Sequence, residues 1–151
     1  RKQNITTVLN PAPAIELPKS LLELTDIIIP NETEAELLTG ISINNESDMK
    51  ETATYFLDLG ISAVLITLGE QGTYCAYQEQ YKMIPACNVK AIDTTAAGDT
   101  FIGAFLSELN KDLSNIESAI RLANQASSLT VQRKGAQASI PTRKEVEAEY
   151  N

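Results

Sequence analysis

Two largely apolar runs constrain the fold of this chain more than any other feature. Residues 26–30 contain three consecutive isoleucines, and residues 63–68 are apolar apart from Thr67. A strand with one solvated face alternates polar and apolar residues, whereas a continuous apolar run is typical of a strand buried on both faces of a parallel sheet. Helical patterns at 31–38 and 47–59 separate the two runs. This alternation predicts an α/β fold with right-handed crossovers.

The remaining patterns complete this architecture. A turn at 69–72, with two glycines, follows the second apolar run and predicts a hairpin at one edge of the sheet. Further strands are expected at 5–9, 73–77, 81–84 and 89–91. Further helices are expected at 17–24, 101–109, 116–131 and 143–150. The expected fold is therefore a mostly parallel, Rossmann-like sheet flanked by helices, and 151 residues suffice to bury one core.

Composition excludes several classes of function. The net charge of −8 provides no positive field for a nucleic acid or an anionic membrane, so neither is expected as a partner. The absence of histidine argues against a zinc site and excludes a Ser-His or Cys-His catalytic pair within this sequence. Cys75 and Cys87 are interpreted as reduced thiols of a cytoplasmic protein. Neither a signal peptide nor a membrane span is expected, since no apolar run reaches the roughly 20 residues that a span needs.

Residues 93–101 form the most informative motif, a small-residue turn between two aspartates that leads into an amphipathic helix. Ala96, Ala97 and Gly98 would bring unobstructed backbone amides to the helix N-terminus, where anions bind. Asp99 places a carboxylate beside these amides. Alternatively, Asp99 only caps the helix. Asp93, like several candidate residues elsewhere, follows a predicted strand, where α/β sheets bind their ligands.

Four motifs in order resemble the ribokinase-like family of carbohydrate kinases, which also includes adenosine kinase and the fructokinases. Along the chain they are Asn31-Glu32-Thr33-Glu34, the turn at 66–72, residues 93–101 and the loop at 133–141. The similarity covers nearly all of the chain. The resemblance implies a ribokinase-like fold, of which residues 1–151 would be the C-terminal nucleotide-binding and catalytic half. The N-terminal half and the lid of the family would be missing, so the chain alone is expected to be inactive.

The same resemblance implies an ATP-dependent sugar kinase, with D-ribose phosphorylated at O5. Asp99 would bind the sugar hydroxyl and act as general base, and Ala96, Ala97 and Gly98 would form an anion hole. Two alternatives stay open. One is another carbohydrate or nucleoside kinase of this family, and the other is a nucleotide-binding module without catalysis.

Nucleotide, metal and subunit contacts are likewise implied by the resemblance. Nucleotide contacts are expected from Asn31, Thr67, Gly69, Gly72, Gly98 and Asn124. Mg²⁺ would accompany ATP and be reached through water by Glu34, although Asn31 and Glu34 also fit a capping box. An activating K⁺ would be bound by Asp93, Thr95, Thr130, Arg133, Gly135 and Ser139. The whole protein is expected to be a homodimer.

Overall fold

The computed structural model describes residues 5–150, which form two compact units. Of these residues, 5–69 and 73–83 belong to the first unit, and 70–72 and 84–150 belong to the second. The assignment of 1–151 to one half of a larger domain stays a prediction. Residues 1–4 and 151, which it includes, lie outside the described residues.

The first unit is organised around a five-stranded mixed sheet. Its strands follow one another in the order β1 (Val8–Leu9), β2 (Ile27–Ile28), β3 (Ala63–Thr67), β4 (Gly72–Tyr77) and β5 (Gln80–Pro85). The first three strands are parallel, and β4 runs antiparallel to β3. Gln78 and Glu79 join β4 to β5 with φ angles of 49° and 61°, which suit a tight two-residue hairpin turn. The predicted α/β fold is confirmed, and so is the hairpin predicted at 69–72, where a short 3-10 turn at Gly69–Gln71 joins the antiparallel strands β3 and β4.

Three helices pack on this sheet: α1 (Lys19–Leu22), α2 (Glu32–Thr39) and α3 (Glu46–Asp58). The side chain of Asn45 caps α3 by accepting hydrogen bonds from two of its first-turn amides. Gly40 ends α2 with a left-handed φ of 73°, a conformation that glycine adopts without a steric penalty. The core of the unit joins α2 and α3 to the strands, and its buried residues include Ile28, Ala35, Ala53, Phe56, Val64, Ile66, Tyr74 and Ala76.

The second unit is mainly helical and contains α4 (Ala97–Glu108), α5 (Ile116–Thr130) and α6 (Arg143–Tyr150). Phe101 and Phe105 lie buried along α4 with their rings stacked 6.3 Å apart. A second apolar cluster joins the three helices and includes Ala126, Leu129 and Val146. The guanidinium of Arg143 bonds the carboxylate of Glu108 at 2.7 Å, which ties α6 to α4.

Two predictions of secondary structure in the second unit were wrong. Residues 89–91 form no strand, because the amides that follow, of Ile92 and Asp93, donate to the carbonyl of Val131 and not to a neighbouring strand. Helix α4 begins at Ala97, before its predicted start at residue 101, because Ala96 turns the chain directly into the helix. Cys75 and Cys87, both within residues 5–150, are not joined in a disulfide. None of the described helices combines the length and apolarity that crossing a bilayer requires.

Candidate active site

The first turn of α4 presents backbone amides to solvent. Ala96 adopts a left-handed conformation (φ 63°, ψ 9°) that costs a non-glycine residue about 1 kcal/mol, and such strain is concentrated at functional sites. The amide of Ala97 donates to the carbonyl of Thr94 at 3.2 Å. Within residues 5–150, the amides of Gly98 and Asp99 find no acceptor. They point out of the positive end of the helix dipole and could therefore bind an anion.

Asp99 is the third residue of α4, and its side chain is exposed. Among the described residues, no group donates a hydrogen bond to its carboxylate. The N-cap position belongs to Ala96, whose methyl group cannot accept a hydrogen bond, so Asp99 is not the N-cap residue but lies in the first turn, where the alternative interpretation also expected an acidic residue. The helix dipole still favours a negative charge at this position. The carboxylate is accordingly held beside the exposed amides and is available to a ligand.

The carboxylate of Asp93 joins the loop before α4 to the loop after α5. Its Oδ1 accepts from the amide of Thr95 and its Oδ2 from the amide of Gly135, both at 3.0 Å. The hydrogen bond from Gly135, followed by those from the hydroxyl and amide of Thr95, lowers the pKa of Asp93 to about 2. The carbonyl of Val131 reinforces the junction by accepting from the amide of Asp93 at 3.1 Å.

The other three residues predicted for K⁺ direct their side chains elsewhere. The hydroxyl of Ser139 donates to the carbonyl of Ala136 at 2.6 Å, and that of Thr130 donates to a hydroxyl on α4. The guanidinium of Arg133 forms an ion pair with Glu145 at 2.8 Å. These three could contribute backbone carbonyls, the type of oxygen that K⁺ prefers, so the residues present fit the ion. The K⁺ site stays a prediction.

We predict that Asp93 stabilises the fold in a pH-dependent way. Its folded-state pKa of about 2 lies below its ordinary value of 3.8, so its contribution is fully present above that value and is lost as the pH falls through about 2. An NMR titration of the Asp93 carboxyl carbon should give a midpoint near 2. The Asp93→Asn variant should have a lower free energy of unfolding than the wild type at neutral pH, and this difference should shrink in acid. A midpoint at the ordinary pKa of 3.8 would contradict the hydrogen bonds that Asp93 accepts from Gly135 and Thr95.

Four predicted residues lie in the first unit. Asn31 and Glu34 form the capping box of α2, in which each side chain accepts from the other residue's amide at 2.8 Å. Thr67 ends β3 beside Asn31, and its amide donates to the carbonyl of Pro30 at 2.9 Å. Gly69 begins the turn after β3 with a φ of 55°. The structure thus brings Asn31, Glu34 and Thr67 together.

The predicted Mg²⁺ contact of Glu34 is compatible with this capping box. One carboxylate oxygen of Glu34 binds the amide of Asn31, and Mg²⁺ commonly keeps its waters and meets a carboxylate through them. Within residues 5–150 no group of three or more His, Cys, Asp or Glu residues is arranged to hold a metal. A contact through water needs no such group, and it stays a prediction.

Gly72 and Asn124, both predicted to contact the nucleotide, have structural roles in the second unit. A Cβ on Gly72 would lie 2.2 Å from the carbonyl oxygen of Ile84, so the backbone there passes too closely for any side chain. Asn124 is buried, and its side-chain amide donates to the carbonyls of Ile84 and Pro85 at 3.1 and 3.2 Å. Both residues therefore secure the end of β5, and their contact with a nucleotide stays a prediction.

Sequence reasoning missed the side chain that fixes the start of α4. The hydroxyl of Ser127 on α5 donates to the carbonyl of Ala97 at 2.8 Å. The signal in the sequence was weak: Ser127 and Thr130 are three residues apart and so share a face of α5. The sequence does not indicate which helix that face meets.

Taken separately, the two units define a class: an α/β protein whose first unit is organised around a mixed sheet and whose second unit carries a helix N-terminus with exposed amides beside an exposed carboxylate. The family described as pfkB family carbohydrate kinase matches residues 1–143. The chain belongs to this family.

Individual relatives are similar over nearly the whole chain. It is 63% identical over 146 residues to the ribokinase of Staphylococcus aureus, covering 97% of this chain and 48% of the relative. It is 48% identical over 145 residues to the ribokinase of Haemophilus influenzae, covering 96% of this chain and 47% of the relative. The ribokinase of Arabidopsis thaliana, solved with ribose and ATP, matches with a TM-score of 0.90 at 33% identity, covering 97% of this chain and 48% of that one. The chain thus spans about half the length of the curated relatives it matches.

Proposed function

We propose that the protein carrying this chain is an ATP-dependent sugar kinase that converts D-ribose to ribose 5-phosphate. The observation that carries the proposal is the first turn of α4, where an exposed carboxylate stands beside amides without an acceptor in residues 5–150. Membership of a carbohydrate-kinase family supports the reaction class. The identity of 63% with a ribokinase supports ribose as the sugar.

In this proposal Asp99 acts as the general base. Its carboxylate accepts the proton of the ribose O5 hydroxyl while that oxygen bonds to the γ-phosphorus of ATP. The bond between this phosphorus and the oxygen bridging to the β-phosphate breaks, and ADP leaves with the bonding electrons. Phosphoryl transfer depends mainly on alignment of the reacting groups, so a carboxylate held by a rigid helix suffices.

The amides at the start of α4 stabilise the charge on the transferred group. Those of Gly98 and Asp99 are the available donors, while the amide of Ala97 is shared with the carbonyl of Thr94. Ala96 contributes the left-handed turn that opens this surface. Donors that are already oriented stabilise a transition state without reorganisation, which makes this kind of anion hole effective.

Two cations belong to the proposal. Mg²⁺ would neutralise the ATP phosphates and be reached through water by Glu34. K⁺ would be bound by the two loops that Asp93 joins, and the clamp from Asp93 to Thr95 and Gly135 places these loops next to each other. Since Thr95 directly precedes the strained Ala96, this clamp also restrains the anion hole.

The proposal also assigns the whole protein to the cytoplasm as a homodimer. The two cysteines without a disulfide fit a reducing compartment. The homodimer is proposed from the family resemblance, and sedimentation velocity of the whole protein would measure it.

The test of the substrate is an assay of the full-length protein with ATP and either ribose, 2-deoxyribose, fructose or adenosine, each with and without K⁺. We expect the highest kcat/KM with ribose, and stimulation of that rate by K⁺. A preference for another substrate would assign the protein to a different kinase of the same family. Nucleotide binding without turnover of any substrate would favour a non-catalytic module and overturn the proposal.

A further inference from the structure

The side chain of Ser127 forms a hydrogen bond to another helix, whereas that of the adjacent Ser128 bonds within α5. The hydroxyl of Ser128 donates to the carbonyl of Gln125 within the same helix, as serines in helices commonly do. The hydroxyl of Ser127 instead crosses to α4 and donates to the carbonyl of Ala97 at 2.8 Å. Ala97 is the first residue of α4, so this bond reaches the helix at its N-terminus.

A second bond between the helices lies one turn further along. The hydroxyl of Thr130 donates to that of Thr100 at 3.1 Å, and both side chains are buried. Ser127 and Thr130 are three residues apart on α5, and their acceptors Ala97 and Thr100 are three residues apart on α4. Residues at this spacing share a helix face, so the two bonds hold the same face of α4 at its first and fourth residues.

The first turn of α4 needs such support from outside. Its N-cap residue, Ala96, offers no side-chain hydrogen bond and is held in a strained left-handed conformation. Helix ends fray when they lack capping interactions. The bond from Ser127 to Ala97 fixes the peptide group that leads directly into Gly98 and Asp99.

We propose that Ser127 is a positioning residue for phosphoryl transfer, which acts through Ala97 on the anion hole and on the general base. The inference rests on the proposed function. The hydroxyl of Ser127 donates a hydrogen bond to the carbonyl of Ala97. In this proposal the bond sets the positions of the amides of Gly98 and Asp99 and of the Asp99 carboxylate. Displacing reacting groups by about 1 Å can cost about a hundredfold in rate, so even a modest relaxation of this turn should be measurable.

The test is the Ser127→Ala variant of the full-length protein. We expect kcat to fall by about tenfold, while KM for ATP and for ribose is unchanged, because alignment is lost and ground-state binding is kept. The Ser127→Thr variant retains the hydroxyl and should restore most of the rate. The matched control is Ser118→Ala on the same helix, whose exposed hydroxyl donates to the carbonyl of Asn115 and makes no bond to α4. This control should keep the wild-type kcat.

The outcomes separate this inference from the function on which it rests. An active wild-type protein whose Ser127→Ala variant keeps its full kcat would overturn the inference and leave the proposed function standing. A fall in kcat that the threonine variant does not restore, or that follows the loss of folded protein seen by circular dichroism, would assign Ser127 a structural role and also overturn it. A wild-type protein that phosphorylates no sugar would overturn both.

Discussion

The Asp99→Asn variant of the full-length protein is expected to lose sugar phosphorylation by about a hundredfold to ten-thousandfold, the range that general bases contribute. Asparagine has nearly the same shape as aspartate but cannot take up the proton of the sugar hydroxyl. The carboxylate has no hydrogen-bond partner within residues 5–150, so its removal breaks no contact there. The loss of its interaction with the helix dipole should cost less than about 1 kcal/mol of unfolding free energy.

The measurement is steady-state kinetics combined with thermal melting. The matched control is Asp58→Asn, which removes one exposed carboxylate at the end of α3 that is not among the candidate site residues. The control should keep wild-type kcat and show that a single charge does not decide the rate. If Asp99→Asn also kept the wild-type rate, Asp99 could not be the base, and the proposed mechanism would be wrong.

The Gly72→Ala variant is expected to lose about 3 kcal/mol or more of unfolding free energy. An added Cβ would lie 2.2 Å from the carbonyl oxygen of Ile84 and 2.6 Å from the amide nitrogen of Ala86. Both are backbone atoms, so neither can rotate away as a side chain would. The φ of 112° at Gly72 adds strain for any L-residue.

Denaturant unfolding of the full-length protein measures this effect, with Gly103→Ala as the matched control. Gly103 lies within α4, is exposed, and has no atom within 4 Å of the position a Cβ would take. Because alanine favours helix over glycine, the control should gain up to about 1 kcal/mol. Equal effects of the two substitutions would show that the close approach at Gly72 is relieved at little cost.

The sequence predicted the central elements well, because they depend on local patterns. The apolar run at 63–68 became β3, since a segment of almost entirely apolar side chains is stable only when it is covered on both faces. Helix α2 begins at its predicted cap because Asn31 and Glu34 bond each other's amides over three residues. The helix over Arg143–Tyr150 also agrees with its predicted range.

Predictions failed where distant contacts decide the conformation. A strand was predicted at residues 89–91, but the amides of Ile92 and Asp93, which follow directly, donate to the carbonyl of Val131 at the end of α5. The start of α4 depends on a left-handed alanine, which helix propensities do not favour. How closely the backbone passes Gly72 also depends on tertiary packing, which no local pattern records.

The sequence by itself determined the small-residue turn, the carboxylate beside it and the capping box, because each depends on neighbours within one helical turn. Only the tertiary structure decided how that turn is held. Asp93 reaches Gly135, 42 residues away, and Ser127 reaches Ala97, 30 residues away. The physical reason is that a hydrogen bond across such a separation forms only after the intervening helices have packed, and no local pattern records which donor will then face which acceptor.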